Sequence, residues 1–179
     1  MDSLLEGKLV RLRARDPEDE PHLFQWFNDP EVTQYLTLRY PLSHAQEAEF
    51  IAKSASISYE RASFAVETIA ETRLIGGVGL EHVSPENRGA VLGIAIGDKQ
   101  FWDGGFGTDA MRVLCRFGFA MMNLHRIELE VFAENARAVH VYEKVGFRIE
   151  GTRRQASFKF GRYQDLHVMG LLEEEFVPS

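Results

Sequence analysis

The segment from Trp102 to Thr108, which reads W-D-G-G-F-G-T, is the part of the sequence best suited to holding a ligand. Three of its residues are glycines, which let a backbone come close to a bound group. An apolar helical pattern follows, and the first N–H groups of a helix have no acceptor within it. These groups and the positive end of the helix dipole suit a phosphate or diphosphate. The segment predicts an anion site, although a plain linker between strand and helix explains the glycines equally well.

A dinucleotide site is the competing interpretation of the same glycines. The run Gly105 to Ala110 fits the fingerprint G-x-G-x-x-A, and Glu128 and Glu130 lie near the expected acidic position. However, the eight residues from Gly97 to Gly104 separate the preceding strand from the first matching glycine. The fingerprint instead follows its strand in a tight turn, and only one strand-helix-strand unit can be read here. An NAD-binding oxidoreductase is therefore the weaker interpretation.

Nucleophilic and metal chemistry find little support in the remaining reactive residues. Cys115 is the single cysteine, and its apolar helical surroundings favour a packed thiol. The six histidines, at positions 22, 44, 82, 125, 140 and 167, include no pair at the short spacing of common zinc motifs. The sequence predicts neither a metal site nor an internal disulfide.

Length, charge and composition limit the classes of protein to which this chain can belong. A chain of 179 residues is long enough for one sizeable core, so residues 1–179 are expected to form a single domain. The formal net charge of −7 disfavours a general nucleic-acid surface and favours a cationic partner slightly. No apolar run approaches the roughly 20 residues needed to cross a bilayer. The first residues lack a secretory pattern, so the expected location is the cytoplasm.

Hydrophobic periodicity predicts the element order β-α-α-β-β-β-α-β-α-β-β. Capping residues and an apolar stripe at helical spacing predict helices, which run from Asp16 to about Phe27, from Ser43 to about Ser56, from just after Gly107 to Met121, and from Asn135 to Gly146. Alternating apolar residues predict strands at 8–13, 64–69, 74–83, 90–96, 126–132, 147–158 and 164–172. This order indicates an α/β fold with one mixed, mostly antiparallel sheet and helices on its faces.

Four separated blocks resemble the GCN5-related N-acetyltransferase (GNAT) family, specifically its branch of ribosomal-protein alanine and spermidine acetyltransferases. The family's loop Q/R-x-x-G-x-G/A corresponds to Trp102–Gly107, where tryptophan replaces the usual first residue. The block Asn135–Phe147 resembles N-x-x-A-x-x-x-Y-x-x-x-G-F and begins 27 residues after Thr108. The segments 26–32 and 161–165 also resemble this branch and follow the same order along the chain.

The resemblance implies a GNAT fold and an enzyme that transfers the acetyl group of acetyl-CoA to a primary amine by direct attack in a ternary complex. A protein N-terminus, a polyamine and another small amine all remain open as acceptors. A catalytically inactive CoA-binding module is the alternative. The resemblance implies no metal, and a homodimer as one assembly state. It assigns coenzyme binding to Ile94, Ala95, Ile96, Trp102, Asp103, Gly104, Gly105, Phe106, Gly107, Thr108, Asn135 and Tyr142.

Catalytic roles are also implied by the resemblance. Tyr142 corresponds to the residue that donates a proton to the departing thiolate, although an aromatic residue filling a helix-to-sheet interface would look the same. The general base is open, because Val91 stands where several relatives have an acidic residue. Glu81 is the candidate base, and His82, Glu128 and Glu130 are the other titratable groups in or next to central strands. An ordinary solvated strand face explains each of these four residues more simply.

Overall fold

A computed structural model describes residues 4–54 and 58–178 of the chain. Its sheet has seven strands in the order β1-β2-β3-β4-β5-β7-β6. The strands are β1 (Val10–Arg13), β2 (Ala62–Thr68), β3 (Leu74–Ser84), β4 (Gly89–Ile96), β5 (Arg126–Phe132), β6 (Arg148–Lys159) and β7 (Arg162–Leu172). All neighbouring strands are antiparallel except β4 and β5, which are parallel. The predicted mixed, mostly antiparallel sheet is confirmed.

In the part of the chain that the structure describes, five α-helices accompany the sheet: α1 (Glu20–Phe27), α2 (Pro30–Thr33), α3 (His44–Ser54), α4 (Phe106–Met121) and α5 (Ala136–Val145). The predicted capping box of α3 is present, since the Ser43 N–H donates to Gln46 Oε1 at 2.9 Å and the Gln46 N–H donates to Ser43 Oγ at 3.3 Å. Its predicted end near Ser56 lies outside the described residues. In the described parts of the chain, no helix is both long and apolar enough to span a bilayer.

Two differences from the predicted order occur before α3. The first helix is preceded by a separate 3-10 turn, Pro17–Asp19, so α1 begins only at Glu20. The segment between the first two predicted helices, for which no element was predicted, contains the one-turn helix α2. The side chain of Asp29 caps this turn by accepting the Glu31 N–H at 2.9 Å, and Pro30 occupies its first position.

The sheet separates two packed layers. Residues of α4 predicted to form an apolar stripe, including Ala110, Val113 and Leu114, are buried in the main core together with Ala90 and Leu92 of β4. A smaller core on the opposite face contains Leu23, Trp26, Val32 and Ile51 of α1, α2 and α3. Because strand side chains alternate between faces, the odd-numbered residues of β4 point toward this second layer.

Candidate active site

The strands β4 and β5 separate in the middle of the sheet. They pair only from Gly89 to Val91 on β4 and from Arg126 to Glu128 on β5. Beyond this point β4 continues to Ile96 along β3, whereas β5 continues to Phe132 along β7. The two strands therefore enclose a wedge-shaped gap that widens toward their carboxyl ends.

Backbone groups of β4 face this gap at alternate residues. The Gly97 N–H donates to Ile75 O at 2.9 Å, so the backbone groups of Gly97 point toward β3. Because the direction alternates along an antiparallel pair, the backbone groups of Ala95 also point toward β3, whereas those of Ile94 and Ile96 point toward the gap. The indole Nε1–H of Trp102 donates to Ile96 O at 2.7 Å, which agrees with this orientation. Of the three β4 residues predicted to bind the coenzyme, Ile94 and Ile96 turn their backbone groups toward the gap and Ala95 does not.

The glycine segment ends at a helix start whose N–H groups are left without side-chain acceptors. Gly105 is the N-cap residue of α4, with a φ of 85°, and among the described residues no side chain caps the helix. The first helical bond runs from the Asp109 N–H to Gly105 O at 3.0 Å. The N–H groups of Phe106, Gly107 and Thr108 therefore point out of the helix beside the wide end of the gap. This geometry suits a diphosphate.

The loop before α4 is tied to the start of α5. The guanidinium of Arg137 lies 4.6 Å from the centre of the Trp102 ring, and its Nη1 is 3.6 Å from Asp103 Oδ2. Trp102 thus positions the loop through its ring and its bond to Ile96. Gly104 completes the turn, where an added Cβ would meet the Phe106 ring at 2.9 Å. Sequence reasoning missed Arg137, whose only signal was its place in the Asn135–Phe147 block.

Asn135 is the N-cap residue of α5, and Tyr142 lies within that helix. The side chain of Asn135 accepts the Ala138 N–H at 3.2 Å, which confirms the predicted N-cap. The Tyr142 ring packs against the main core, with its centre 6.4 Å from that of Phe147. Burial raises the pKa of Tyr142 to about 12, so its hydroxyl keeps its proton at neutral pH.

The candidate bases lie on the face of the sheet opposite the main core. Glu81, Val91 and Glu128 are in register across β3, β4 and β5, at the level where the gap begins. Glu81 is exposed and, among the described residues, takes part in no ion pair. Glu128 is 3.2 Å from Arg126 Nη2, and Glu130 pairs with Arg153.

Two further titratable residues take no part in this arrangement. His82 lies at an irregularity of β3, with a φ of 51°. Cys115 is completely buried in α4, and burial raises the pKa of its thiol well above its usual range, so it remains a packed thiol. Within residues 4–54 and 58–178, no three His, Cys, Asp or Glu side chains are grouped so that they could hold a metal ion.

Comparison with known proteins agrees with this geometry. The family model described as "Acetyltransferase (GNAT) domain" matches residues 10–148. The spermidine N(1)-acetyltransferase of Vibrio cholerae is 38% identical over 168 residues, which cover 94% of this chain and 95% of that protein. The uncharacterized N-acetyltransferase p20 of Bacillus licheniformis is 29% identical over 178 residues, which cover 98% and 99% of the two chains.

A solved structure extends the likeness to three dimensions. The crystal structure of spermidine N-acetyltransferase from Vibrio cholerae, in complex with CoA and spermine, matches with a TM-score of 0.85 and 30% identity, and the match covers 93% of this chain and 96% of that one. The predicted family, fold and enzyme class are confirmed. The chain belongs to the GNAT family of acetyltransferases and is an N-acetyltransferase that moves an acetyl group to an amine.

Proposed function

We propose that this enzyme takes the acetyl group from acetyl-CoA and transfers it directly to a primary amine in a ternary complex. The observation that carries the proposal is the gap between β4 and β5, with the uncapped start of α4 at its wide end. A long, thin ligand with a diphosphate at one end and a reactive thioester at the other fits these two features together.

The coenzyme would bind mainly through backbone groups. The N–H groups of Phe106, Gly107 and Thr108 would bind the diphosphate, where the helix dipole also favours negative charge. The pantetheine arm would lie along β4 like an added strand and use the N–H and C=O of Ile94 and the N–H of Ile96, because the Ile96 C=O already accepts the indole N–H of Trp102. A β4 N–H at the gap would stabilise the oxyanion that forms on the thioester carbonyl.

The proposed reaction proceeds without an acetylated protein. A neutral amine attacks the thioester carbon, an N–C bond forms and the carbonyl oxygen becomes an oxyanion. The C–S bond then breaks as the carbonyl re-forms, the nitrogen loses one proton to a base, and the sulfur gains one. The products are the amide and free CoA thiol. No side chain is proposed as a covalent acceptor, and the single thiol, Cys115, is completely buried.

Tyr142 would act at the sulfur, and its pKa limits what it contributes. With the pKa of Tyr142 at about 12 and that of a thiol near 8.5, complete transfer of the phenol proton to sulfur is uphill by roughly 5 kcal/mol. The hydroxyl would therefore stabilise the departing thiolate chiefly as a hydrogen-bond donor. It would pass on its proton only as it receives one released from the amine. This role is worth less than that of a strong general acid.

Glu81 is the proposed base, acting through water. It is exposed at the level where the gap begins, whereas Glu128 and Glu130 are held by Arg126 and Arg153. The demand on this base depends on the acceptor, because an α-amine of pKa about 8 is neutral far more often at neutral pH than an alkyl amine of pKa about 10.4. Glu81 therefore matters less for an α-amine.

The acceptor would be a polyamine, another small amine or a protein N-terminus, and the spermidine acetyltransferases among the relatives support a small amine. A homodimer is the proposed assembly state.

Steady-state release of free thiol across a panel of amines and basic N-terminal peptides tests the proposal. Intersecting double-reciprocal lines are expected. Parallel lines, or an acetylated protein that passes its group to an amine, would refute direct transfer, and no release with any amine would favour a CoA-binding module.

A further inference from the structure

The face of the sheet opposite the main core carries only small side chains beside the gap. The residues that share this face in the middle of β2, β3 and β4 are Ser63, Ala65, Gly77, Gly79, Gly93 and Ala95. Gly93 is exposed although it lies on a central strand, and an added Cβ there would meet no atom of the described residues within 4 Å. The sheet therefore has a recess above Gly79 and Gly93, which are paired with each other.

The recess opens into the gap between β4 and β5. The parallel pairing of these strands ends at Val91, two residues before Gly93. Beside Gly93, β4 therefore has no paired neighbour on the side of β5. A ligand group in the recess would lie next to the place where the thioester enters the gap.

The guanidinium of Arg15 closes one end of the recess. An added Cβ on Gly77 would lie 2.6 Å from Arg15 Nη2, so the guanidinium lies directly over Gly77. Arg15 is only 9% exposed, and its Nε and Nη1 have no hydrogen-bond partner among the described residues. Nη2 is the guanidinium nitrogen that is not completely buried. A buried arginine with unused donors at the end of a recess indicates that a ligand supplies an acceptor there.

The protein around Arg15 balances its charge without using its donors. The Arg15 Cζ lies 4.8 Å from the centre of the Phe50 ring on α3, and Glu47, one turn earlier on that helix, is 1% exposed. Burial lowers the pKa of Arg15, and the negative charge of Glu47 opposes this effect. The ligand therefore needs a hydrogen-bond acceptor at Arg15, but it does not need a net negative charge. A carbonyl oxygen meets this requirement.

The distance between Arg15 and the gap limits the ligand. Gly77 lies one strand and two residues away from Gly93, which is about 8 Å in an antiparallel sheet. A hydrogen bond at one end and the approach of the amine to the thioester at the other each take about 3 Å. The oxygen bound by Arg15 is therefore about three bonds from the reacting nitrogen, as it is in the group N–C–C=O.

The recess has the size of an aliphatic side chain. Across the sheet it spans two strand spacings, about 10 Å. Along the strands it is bounded by Arg15 at one end and by the side chains of Glu81 and Val91 at the other. This space is large enough for a four-carbon side chain such as that of leucine.

We propose that the acceptor is an α-aminoacyl group, that Arg15 binds its carbonyl oxygen, and that the recess over Gly79 and Gly93 holds an aliphatic side chain larger than a methyl group. This inference rests on the proposed function, since it concerns the amine of that reaction. A free amino acid and the N-terminus of a peptide share this group. A linear polyamine has neither the oxygen nor the branch. An α-amine also depends less on Glu81 than an alkyl amine does.

The first test uses the intact enzyme and measures thiol release with L-leucinamide and glycinamide, whose α-amines have similar pKa values. We expect kcat/KM to be at least about tenfold higher for L-leucinamide, because only its side chain fills the recess. L-Leucine and leucyl-glycine distinguish the two sources of the group. Release with L-leucine assigns a free amino acid, and release with leucyl-glycine but not with L-leucine assigns a peptide N-terminus.

Gly93→Val should fill the recess without disturbing the fold, because its Cβ meets no atom of the described residues. We expect kcat/KM to fall at least about tenfold for L-leucinamide and less than about threefold for glycinamide. The Kd of acetyl-CoA should stay the same. Gly151→Val is the matched control on β6, where an added Cβ also meets no atom within 4 Å, and it should change none of these values.

Arg15→Lys keeps the positive charge near Glu47 and removes the donor over Gly77. We expect kcat/KM to fall at least about tenfold for L-leucinamide and glycinamide, which both carry the carbonyl oxygen. It should change little for 3-methylbutylamine, which has the carbon chain of leucine without the carbonyl group. Circular dichroism checks the fold of this variant. If Arg15→Lys does not fold, the comparison of Gly93→Val with Gly151→Val decides.

Each outcome supports or overturns the inference. Equal kcat/KM for the two amides with the intact enzyme, an unchanged value for L-leucinamide in Gly93→Val, or an equal loss for 3-methylbutylamine in Arg15→Lys would overturn it while the proposed function stands. A higher Kd of acetyl-CoA in Gly93→Val would assign the recess to the coenzyme and would also overturn it. Absence of thiol release with every amine, spermidine included, would instead remove the proposed function.

Discussion

The carboxylate of Asp109, in the first turn of α4, accepts the backbone N–H of Leu9 at 2.7 Å. The same carboxylate accepts the N–H groups of Lys8 at 3.2 Å and Val10 at 3.0 Å. An acidic residue near a helix start often caps its own helix, but Asp109 instead connects the helix to the first strand. The start of α4 is thus held in place while its own N–H groups stay available.

Removing this connection should destabilise the protein and loosen the coenzyme site. Asp109→Ala leaves three backbone donors without their acceptor, at least one of them buried, so the free energy of unfolding should fall by about 3 kcal/mol. Asp109→Asn keeps one acceptor oxygen, so its free energy of unfolding should fall by less. Urea unfolding followed by circular dichroism measures both values. Equal stability of Asp109→Ala and the intact protein would contradict the proposed role of these bonds.

Gly107→Ala should separate stability from coenzyme affinity. An added Cβ would meet only Ile96 Cγ1, at 3.6 Å, which is an ordinary contact, and alanine favours a helix over glycine by about 0.5–1 kcal/mol. Stability should therefore stay the same or rise. The methyl group would lie next to the diphosphate, so the Kd of acetyl-CoA measured by calorimetry should rise at least about tenfold.

Gly151→Ala is the matched control for that change, because an added Cβ there meets no atom within 4 Å and the residue lies on β6. The Kd of its complex with acetyl-CoA should equal that of the intact protein. If Gly107→Ala also binds with unchanged affinity, the start of α4 does not hold the diphosphate.

Tyr142→Phe should slow turnover without abolishing it. The change removes the hydrogen bond that Tyr142 is proposed to donate to the departing thiolate, so kcat at neutral pH should fall by about 100-fold, while the Kd of acetyl-CoA should change little. Rapid-mixing measurement of thiol release isolates the chemical step from product release. An unchanged rate of that step would exclude Tyr142 from the chemistry.

Glu67→Gln should destabilise the protein in a way that depends on pH. Burial raises the pKa of Glu67, but hydrogen bonds from Arg13 and Arg11 more than offset this, so the pKa lies below its usual value. The resulting stabilisation is present above about pH 4.3 and is lost as the pH falls through the lowered pKa. At neutral pH the variant should lose about 1–2 kcal/mol of unfolding free energy, because two partly exposed arginines lose this buried partner, while Arg13 keeps its ion pair with Asp19.

Urea titrations between neutral pH and pH of about 3 measure this dependence. The difference in unfolding free energy between Glu67→Gln and the intact protein should become smaller as the pH falls. Glu49→Gln, which removes an exposed partner of Lys53, is the control and should change stability little at any pH. A difference that stays constant with pH would show that the ion pairs of Glu67 do not cause the loss.

Local signals in the sequence predicted much of this fold. The bounds of β5, Arg126–Phe132, match the prediction, and Asn135 and Gly146 cap α5 as expected, Gly146 with a φ of 117°. These features depend on residues a few positions apart. The one-turn helix α2 was missed because four residues are too few to show helical periodicity.

Contacts between distant segments could not be predicted in the same way. The bonds from Asp109 to β1 join residues about 100 positions apart, and the Lys159 bonds to Thr33 and Leu36 span more than 120. Hydrophobic periodicity assigns a residue to a face but does not identify its partner on another element. The orientation of Ala95 toward β3 likewise depends on hydrogen-bond alternation in the ladder, which the residue types do not encode.

The central claim is that backbone N–H groups at the start of α4 bind the diphosphate and direct the thioester into the gap between β4 and β5. Calorimetric titration of the intact protein with acetyl-CoA and with S-acetylpantetheine, which lacks the diphosphate and nucleotide, tests it most directly. We expect acetyl-CoA to bind at least about 100-fold more tightly, a difference of roughly 2.7 kcal/mol. Equal affinity for the two ligands, or no detectable binding of acetyl-CoA, would contradict the claim.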